Sequence, residues 1–192
     1  MRIIAGEARG RKLKSMKGLD TRPTADRVKE ALFSILTPVL AGANFLDLFA
    51  GTGSIGMEAI SRGAGSCVFV ESRDICIRVI QENLALCGFS DRAQVWRGNA
   101  LNFLKHSGAN FQPYDLIYVD PPYDTGLVEK SLALIATGGW LSKEGWVIVE
   151  ARKSSPEGNV SVDGLKIARQ AVYGDTVLVF YHKAGMPEGD SS

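Results

Sequence analysis

The 192-residue chain contains little of what several classes of functional site require. Histidine occurs twice, at His106 and His182, and neither has a partner at the spacing of a metal site. The three cysteines, Cys67, Cys76 and Cys87, also lack metal-ligand spacing, and their odd number is unlike a disulfide framework. We therefore expect no metal site, three cysteines that serve packing, and a reducing, cytoplasmic location.

Long apolar runs are missing as well. No run approaches the roughly 20 residues that a membrane span needs, and the first residues are too poor in apolar side chains for a signal peptide. No internal repeat is visible. An apolar fraction of 45% and a charged fraction of 22% are ordinary for a globular protein. This composition predicts one domain with room for a small appendage, and no membrane partner.

Charge is unevenly distributed, although the net charge is only +1. Residues 1–29 contain nine Lys and Arg against three acidic residues, whereas the remaining 163 residues have a net charge of −5. Such asymmetry favours a nucleic-acid-binding segment on a neutral body. The alternative is a solvated basic face without a partner. The basic residues expected to contact a polyanion are Arg2, Arg9, Arg11, Lys12, Lys14 and Arg22.

Strand-like and helix-like patterns alternate along most of the chain. Apolar runs predict five central strands, at residues 44–49, 66–71, 93–97, 114–119 and 145–151. Helical spacing predicts helices between or before them, at residues 24–39, 57–62, 74–87, 99–106 and 127–136. This alternation predicts an α/β fold with a parallel, doubly wound sheet. Two alternating strands at 165–173 and 176–182 add an antiparallel hairpin, which gives seven strands in all.

Local sequence patterns predict further details of the N-terminal segment and of the helix faces. Thr24 is a candidate N-cap of the first helix, and short strand-like pieces around Gly6 and Gly10 predict a basic N-terminal hairpin. The apolar stripe of the first helix comprises Val28, Ala31, Leu32, Ile35, Leu36 and Val39. The inward face of the helix at 74–87 comprises Ile75, Val79, Ile80 and Leu84. The domain plan is therefore a basic arm at 1–23, an α/β domain at 24–183 and a disordered tail at 184–192.

The tetrapeptide Asp120-Pro121-Pro122-Tyr123 follows the predicted strand at 114–119. Two prolines end a strand, because neither has an N–H to donate, and they hold the chain stiff and extended. A carboxylate, rigid carbonyls and an aromatic ring are thereby fixed at the carboxyl end of a strand, where open α/β sheets bind ligands. The alternative is a turn whose aspartate caps a neighbouring segment.

A glycine-rich turn follows the first predicted strand. Gly51, Gly53 and Gly56 match G-x-G-x-x-G, and Glu71 lies 20 residues after the first glycine, as in a dinucleotide site. Asp47, however, precedes the turn by four residues, and its carboxylate would repel a pyrophosphate and attract an ammonium group. S-adenosylmethionine has that group and no phosphate. A helix cap at Asp47 and a solvated strand end at Glu71 are the alternatives.

Several motifs resemble one family. The segment from Asp47 to Gly53 resembles the first cofactor motif of Rossmann-like methyltransferases, and Asp120-Pro121-Pro122-Tyr123 resembles their motif for exocyclic amines of nucleobases. The segments Arg2-Ile3-Ile4-Ala5-Gly6, Arg9-Gly10-Arg11-Lys12-Leu13 and Thr21-Arg22-Pro23-Thr24 resemble the opening of the RsmD family, as does Asp26-Arg27-Val28-Lys29-Glu30-Ala31-Leu32-Phe33. The resemblance covers residues 1–183. It implies methylation of N2 of guanine 966 in 16S ribosomal RNA, with S-adenosylmethionine as donor and S-adenosylhomocysteine as product.

The resemblance also implies roles for single residues. The implied catalytic set is Asp120, Pro121, Pro122 and Tyr123. The implied cofactor set is Arg22, Thr24, Asp47, Ala50, Gly51, Thr52, Gly53, Glu71, Ser72, Asn99, Ala100 and Asp120. Asn99 would accept a hydrogen bond from the adenine amino group through its carbonyl oxygen, and the basic arm would hold RNA phosphates. The implied partner is 16S ribosomal RNA or an assembling small subunit, and we expect a monomer.

Three other functions remain open. An adenine-N6 methyltransferase acting on DNA or RNA uses the same tetrapeptide, although about 190 residues leave little room for a separate target-recognition domain. A catalytically silent RNA-binding protein could keep the fold, but the presence of Asp47, Glu71 and Asp120 argues against it. A nucleotide-dependent oxidoreductase is disfavoured by Asp47 and by the proline pair.

Overall fold

The computed structural model describes residues 1–16, 23–106, 112–122 and 125–185. Its elements, in chain order, are α1 Pro23–Leu40, β1 Asn44–Asp47, α2 Ser54–Ser61, β2 Ser66–Glu71, α3 Asp74–Cys87, β3 Ala93–Arg97, α4 Ala100–Lys105, β4 Tyr114–Val119, α5 Leu127–Thr137, β5 Leu141–Arg152, β6 Leu165–Tyr173 and β7 Thr176–Lys183. Short 3₁₀ turns lie at Ser90–Arg92 and Pro156–Asn159. In the described ranges, no helix is long and apolar enough to cross a membrane.

The seven strands form one sheet in the order β3-β2-β1-β4-β5-β7-β6. The first five strands of that order pair in parallel, while β7 runs antiparallel to β5 and β6 antiparallel to β7. The predicted α/β sheet with a C-terminal hairpin is therefore confirmed. The chain moves outward from β1 to β3 and then returns to β4 on the other side of β1. The switch point of the sheet consequently lies between β1 and β4.

Helices cover both faces of the sheet. Every second residue of the central strands, for example Phe45 and Tyr118, packs in one core with buried residues of α1, α2 and α3. Residues between them, such as Leu46 and Ile117, pack in a second core with α4 and α5. Burial on both sides explains why the central strands are almost continuously apolar.

Four local predictions are corrected. Helix α1 begins at Pro23, so Thr24 lies within the helix and is not its N-cap; proline suits a first helical turn because its φ is already helical. Strand β1 ends at Asp47, two residues before its predicted end, because residues 48–49 already form a turn. Val39 is 41% exposed and Ile75 is 56% exposed, so neither faces the core. Residues 186–192, most of the expected tail, lie outside the described residues.

The predicted N-terminal hairpin is a tight loop that packs on the domain. Arg2 and Lys12 form an isolated antiparallel bridge, and the Ile3 N–H donates to the Arg11 carbonyl at 3.0 Å. Ile3 is fully buried and Leu13 is 6% exposed, both within the core that contains α1 to α3. The hairpin is therefore held by the same hydrophobic core as the domain.

A buried carboxylate on α2 also fastens this hairpin. Glu58 is fully buried, and its two oxygens accept the N–H groups of Ile4 at 2.8 Å and Ala5 at 3.0 Å. The same side chain pairs with Arg62 Nε at 2.7 Å and with Lys29 Nζ at 3.4 Å. Burial lowers the pKa of Lys29, and the neighbouring Glu58 carboxylate opposes that shift. One side chain thus joins the hairpin, α1 and α2.

Candidate active site

The candidate site lies at the carboxyl ends of the parallel strands, beside the switch point. Asp47 ends β1 and Asp120 directly follows β4, and these two strands are hydrogen-bonded neighbours. Glu71 ends β2 on the far side of β1, and Asn99 follows β3. Four of the predicted site residues are therefore brought to one edge of the sheet, where ligands of open α/β folds bind.

The turn between β1 and α2 is shaped by its glycines. Gly53, at φ 81° and ψ 18°, is the N-cap of α2, a left-handed conformation that favours glycine. A Cβ added to Gly56 would lie 2.3 Å from the Phe69 ring and 2.7 Å from Cys67 Sγ, so glycine lets α2 lie close on β2. A Cβ on Gly51 would meet nothing within 4 Å, which leaves that side of the turn open to a ligand.

The rest of the turn is tied to its neighbours. The Ala50 N–H donates to the Val70 carbonyl on β2 at 3.0 Å. Thr52 is 7% exposed, and its carbonyl accepts from Asn83 Nδ2 at 3.4 Å. The oxygen and amide of the Asn83 side chain also bond the backbone of Lys14 at 2.8 and 3.1 Å. Asn83, which sequence analysis missed, therefore links the turn with the basic hairpin.

Asp47 is buried beneath the turn, with 2% of its surface exposed. Its Oδ2 accepts the Gly56 N–H at 3.0 Å, so the carboxylate caps the first turn of α2, as one of the alternatives supposed. Burial raises the pKa of Asp47 to about 7; the Gly56 hydrogen bond opposes this rise and the charge of Glu71 adds to it. Asp47 therefore changes charge near neutral pH.

Glu71 is held in a defined orientation at the end of β2. It is 8% exposed, and its Oε1 accepts the N–H groups of Ser72 and Arg73, each at 2.9 Å. The Arg73 guanidinium also contacts this oxygen at 3.3 Å. Glu71 is thus more ordered than the solvated strand end considered as an alternative, while Ser72 itself is exposed.

Asn99 is the N-cap of α4. Its Oδ1 accepts the N–H groups of Leu101 at 2.9 Å and Asn102 at 3.3 Å. This is the oxygen that was expected to accept from an adenine amino group, and it is already engaged with the helix. The neighbouring Ala100 is 5% exposed and packs with the second core.

The tetrapeptide leaves β4 at the same edge. Asp120 is half-buried, Pro121 is buried and Pro122 is exposed, with its carbonyl accepting from the Thr125 hydroxyl at 2.8 Å. Burial raises the pKa of Asp120 well above its ordinary value, and the charges of Glu150 and Asp47 add to the rise. Tyr123 and Arg22 lie outside the described residues, and Thr24 is described only as part of α1.

Sequence analysis also missed a carboxylate beside the tetrapeptide. Val119 pairs with Val149 in the parallel register of β4 and β5, so Glu150 is the residue beside Asp120 one strand away. Glu150 accepts a hydrogen bond from the Tyr118 hydroxyl. One signal was available: Glu150 closes an apolar run, as Asp120 does after β4.

The predicted basic residues lie on the docked hairpin, and all five described ones are exposed: Arg2, Arg9, Arg11, Lys12 and Lys14. Two of them have protein partners. The Arg11 guanidinium donates to the Leu86 carbonyl, and Lys14 Nζ lies 2.9 Å from Glu82. A cavity of about 300 Å³ opens between the hairpin and α1, lined by Met1, Arg2, Lys12, Leu13 and Asp26.

The site suits a cationic nucleoside better than a dinucleotide. Two carboxylates, Asp47 and Glu71, end neighbouring strands on either side of the open glycine turn. Carboxylates match ammonium and hydroxyl groups, whereas they repel phosphate. S-adenosylmethionine has an ammonium group and a ribose and no phosphate, so the residues present fit this cofactor.

Comparison with known proteins gives a consistent result. A family model described as "Conserved hypothetical protein 95" matches residues 1–182. Ribosomal RNA small subunit methyltransferase D of Escherichia coli strain K12 is 35% identical over 191 residues, which is 100% of this chain and 94% of that protein. The protein of the same name from Haemophilus influenzae is 39% identical over 157 residues, 81% of each chain. The solved structure of yhhF from Escherichia coli has a TM-score of 0.84 at 34% identity and covers 97% of this chain and 99% of that one.

The family model and the E. coli relative extend over the hairpin, the sheet and the C-terminal strands alike. The predicted Rossmann-like methyltransferase fold is thereby confirmed. The chain belongs to the family described as conserved hypothetical protein 95, the RsmD family, whose compared members are ribosomal RNA small subunit methyltransferase D proteins.

Proposed function

We propose that this chain transfers the methyl group of S-adenosylmethionine to the exocyclic N2 of guanine 966 in 16S ribosomal RNA. The observation that supports this most directly is the position of Asp120-Pro121-Pro122 across the switch point from the glycine turn. An amine-binding motif and a cofactor-binding turn are neighbours there. The substrate class is supported by the E. coli and H. influenzae relatives named above.

The proposed cofactor roles combine the chemistry of this edge with what the resemblance to the RsmD family implies. Asp47 would attract the ammonium group, the turn from Ala50 to Gly53 would lie along the methionine portion, and Glu71 with Ser72 would hold the ribose. Asn99 and Ala100 would border the adenine. Arg22 and Thr24 would close over the cofactor from the start of α1. When bound, S-adenosylmethionine supplies a methyl group activated by a sulfonium; the protein supplies position and electrostatics.

The tetrapeptide would orient the target amine. The N2 lone pair of guanine is delocalised into the ring, which makes the amine a poor nucleophile. Asp120 would accept one N2 hydrogen and the Pro121 carbonyl the other, which favours a pyramidal nitrogen with its lone pair directed at the methyl carbon. Tyr123 would stack on the base once the base has left its own stack, and such stacking is worth about 1–3 kcal/mol.

The hairpin would hold the RNA backbone. Arg2, Arg9 and Lys12 have no ion-pair partner among the described residues, in contrast to Lys14. Their charges remain available for phosphates. Residues 1–23 would thus be an RNA-binding segment, although its apolar residues Ile3 and Leu13 belong to the common core.

Cofactor binding is expected to depend on pH through Asp47. Its pKa is about 7, so the affinity for S-adenosylhomocysteine should rise as pH increases from about 6 to about 8, because the ionised carboxylate attracts the ammonium group. Calorimetric titration across this range measures the effect. Asp47→Asn keeps an oxygen for the Gly56 N–H and should bind more weakly with a flat pH profile. An unchanged slope in this variant would contradict the role.

The raised pKa of Asp47 also affects the stability of the protein without cofactor. The folded pKa lies above the unfolded value, so the stability due to Asp47 is fully present below about pH 4 and is lost as pH rises through about 7. At pH 8, Asp47→Asn should therefore be no less stable than the wild type. Asp91→Asn, an exposed aspartate before β3, is the matched control and should alter neither measurement.

Replacing the unpaired hairpin cations is expected to weaken RNA binding. Arg9→Ala with Lys12→Ala should lower affinity for 16S ribosomal RNA and reduce the slope of log K against log salt by about 2, one unit per lost phosphate contact. Filter binding at several salt concentrations measures the slope. Lys130→Ala with Lys143→Ala removes two exposed lysines elsewhere and should leave it unchanged. Equal slopes for the two double variants would favour a solvated basic face.

The proposal itself is tested by transfer of labelled methyl groups. Purified protein, labelled S-adenosylmethionine and unmodified small subunits, large subunits or naked 16S ribosomal RNA are incubated separately. Label in the small subunit or its RNA, and none in the large subunit, is the expected result. Absence of label from both small-subunit substrates, despite calorimetric binding of S-adenosylhomocysteine, would refute the proposed substrate. Binding of NAD in place of S-adenosylhomocysteine would refute the reaction class.

A further inference from the structure

Three carboxylates lie on one face of the sheet near its ligand-binding edge. Asp47 of β1 is in register with Tyr118 of β4, and Glu150 of β5 is the residue beside Asp120. Tyr118 belongs to the core formed with α1, α2 and α3. Asp47, Asp120 and Glu150 follow the same alternation and face the same side. Among the described residues, no group of three or more metal-ligating side chains could hold a metal ion.

Asp120 and Glu150 are two half-buried carboxylates at neighbouring positions of adjacent strands. Burial raises the pKa of Glu150, and the hydrogen bond from Tyr118 opposes that rise. Burial also raises the pKa of Asp120, and Glu150 is the neighbour that adds most to the shift. Two adjacent carboxylates in such a place hold a proton between them more readily than either would alone.

Several groups lie around the pair. On β7, the residue opposite Glu150 is the apolar Leu178. On β5, the next residue on the same face is Arg152, which is exposed. On α1, which packs against this face, Lys29 forms an ion pair with Glu58, and Asp26 is half-buried. For Asp120, burial and the charge of Glu150 are the two largest influences on the pKa.

We propose that Glu150 is a positioning residue that acts through Asp120. Glu150 makes Asp120 a stronger acceptor for the N2 proton and then passes that proton from Asp120 to solvent. This inference rests on the proposed function. Methyl transfer leaves N2 with four bonds and a positive charge. The N–H bond then breaks, its electron pair stays on nitrogen, and the proton moves to the Asp120 carboxylate. Glu150, half-buried and fixed by the Tyr118 hydroxyl, takes it from Asp120 towards water.

Asp120 would act in two successive steps. It must first accept a hydrogen bond from the neutral amine and afterwards accept a proton from the cationic product. A neighbouring negative charge strengthens both interactions, because it raises the proton affinity of Asp120. A carboxylate one strand away does this without occupying the space of the base.

The test is a carboxyl titration followed by carbon-13 NMR in the protein without cofactor or RNA, compared between the wild type and Glu150→Gln. We expect the Asp120 midpoint to fall by about one pH unit or more in the variant. The acid limb of the single-turnover methylation rate should move to lower pH by a similar amount, with a lower plateau. Glu144→Gln, an exposed glutamate on the same strand, is the control and should shift neither quantity.

An Asp120 midpoint that does not move in Glu150→Gln would overturn the inference. If that variant fails to fold, the wild type alone decides: two independent titrations at ordinary carboxyl values refute the coupling, and two separated, interacting steps support it. Because the titration needs neither cofactor nor RNA, its failure is distinct from that of the proposed function, which is judged by methyl transfer in the wild type.

Discussion

Asp120→Ala should lower the rate of methyl transfer at saturating cofactor by about 10²- to 10⁴-fold. The substitution removes the acceptor that would orient the amine. Single-turnover incorporation of labelled methyl into small-subunit RNA measures the loss, with calorimetry confirming that the cofactor site is filled. Asp91→Ala, which removes an exposed aspartate at the amino end of β3, should keep the wild-type rate. A near-normal rate for Asp120→Ala would refute the assignment.

Replacing Asp120 should increase the stability of the folded protein, although it lowers activity. Burial and the charges of Glu150 and Asp47 raise the pKa of Asp120, so its ionised form is unfavourable in the folded protein. The stability due to Asp120 is fully present below the unfolded value near pH 4 and is lost as pH rises through the folded pKa. Asp120→Asn should therefore have a higher melting temperature than the wild type at neutral pH. A gain in stability together with a loss of activity is typical of a functional carboxylate.

Glu58→Ala should destabilise the folded protein by about 3–5 kcal/mol, equivalent to roughly 10 °C in melting temperature for a chain of this size. The loss leaves Lys29, which is 4% exposed, without its carboxylate partner and frees two backbone N–H groups of the hairpin. Thermal and urea unfolding measure the change. Breaking a buried pair from one side costs this much because the remaining charge stays buried.

An exposed ion pair between the hairpin and a helix offers the matched control. Lys14 and Glu82 lie 2.9 Å apart with 60% and 52% of their side-chain surfaces exposed, so Glu82→Ala should cost less than about 1 kcal/mol. Replacing both buried partners, Lys29→Met with Glu58→Met, should be less harmful than Glu58→Ala alone. Equal losses for Glu58→Ala and Glu82→Ala would contradict the account of the hairpin.

Much of the sheet could be predicted from sequence because burial on both faces leaves a plain signal. The predicted bounds of β2, β3, β4 and α3 coincide with those observed. The faces of helices were predicted less well. Ile75 was expected inside α3 and is exposed, whereas the fully buried Asn83 occupies the inner face. An apolar pattern cannot include an asparagine whose burial depends on backbone groups of distant residues.

The motifs of the candidate site could be recognised in the sequence, whereas the residues that support them could not. Asp47 stands at a strand end shortly before the glycine turn, Asp120 stands beside the two prolines, and Glu71 lies 20 residues after the first glycine; this context marks all three. Glu58 is fully buried and Glu150 is half-buried, and neither belongs to such a motif. Glu58 is stabilised by backbone groups more than 50 residues away, and Glu150 by a tyrosine on the neighbouring strand. Only the folded arrangement brings these partners together.

The proposed methylation of N2 of guanine 966 is tested most directly by mapping modified nucleotides in 16S ribosomal RNA from cells with and without this protein. We expect N2-methylguanosine at that position only when the protein is present, and its loss when Asp120→Ala replaces the wild type. N6-methyladenosine that depends on the protein, or an unchanged map in its absence, would refute the proposed reaction.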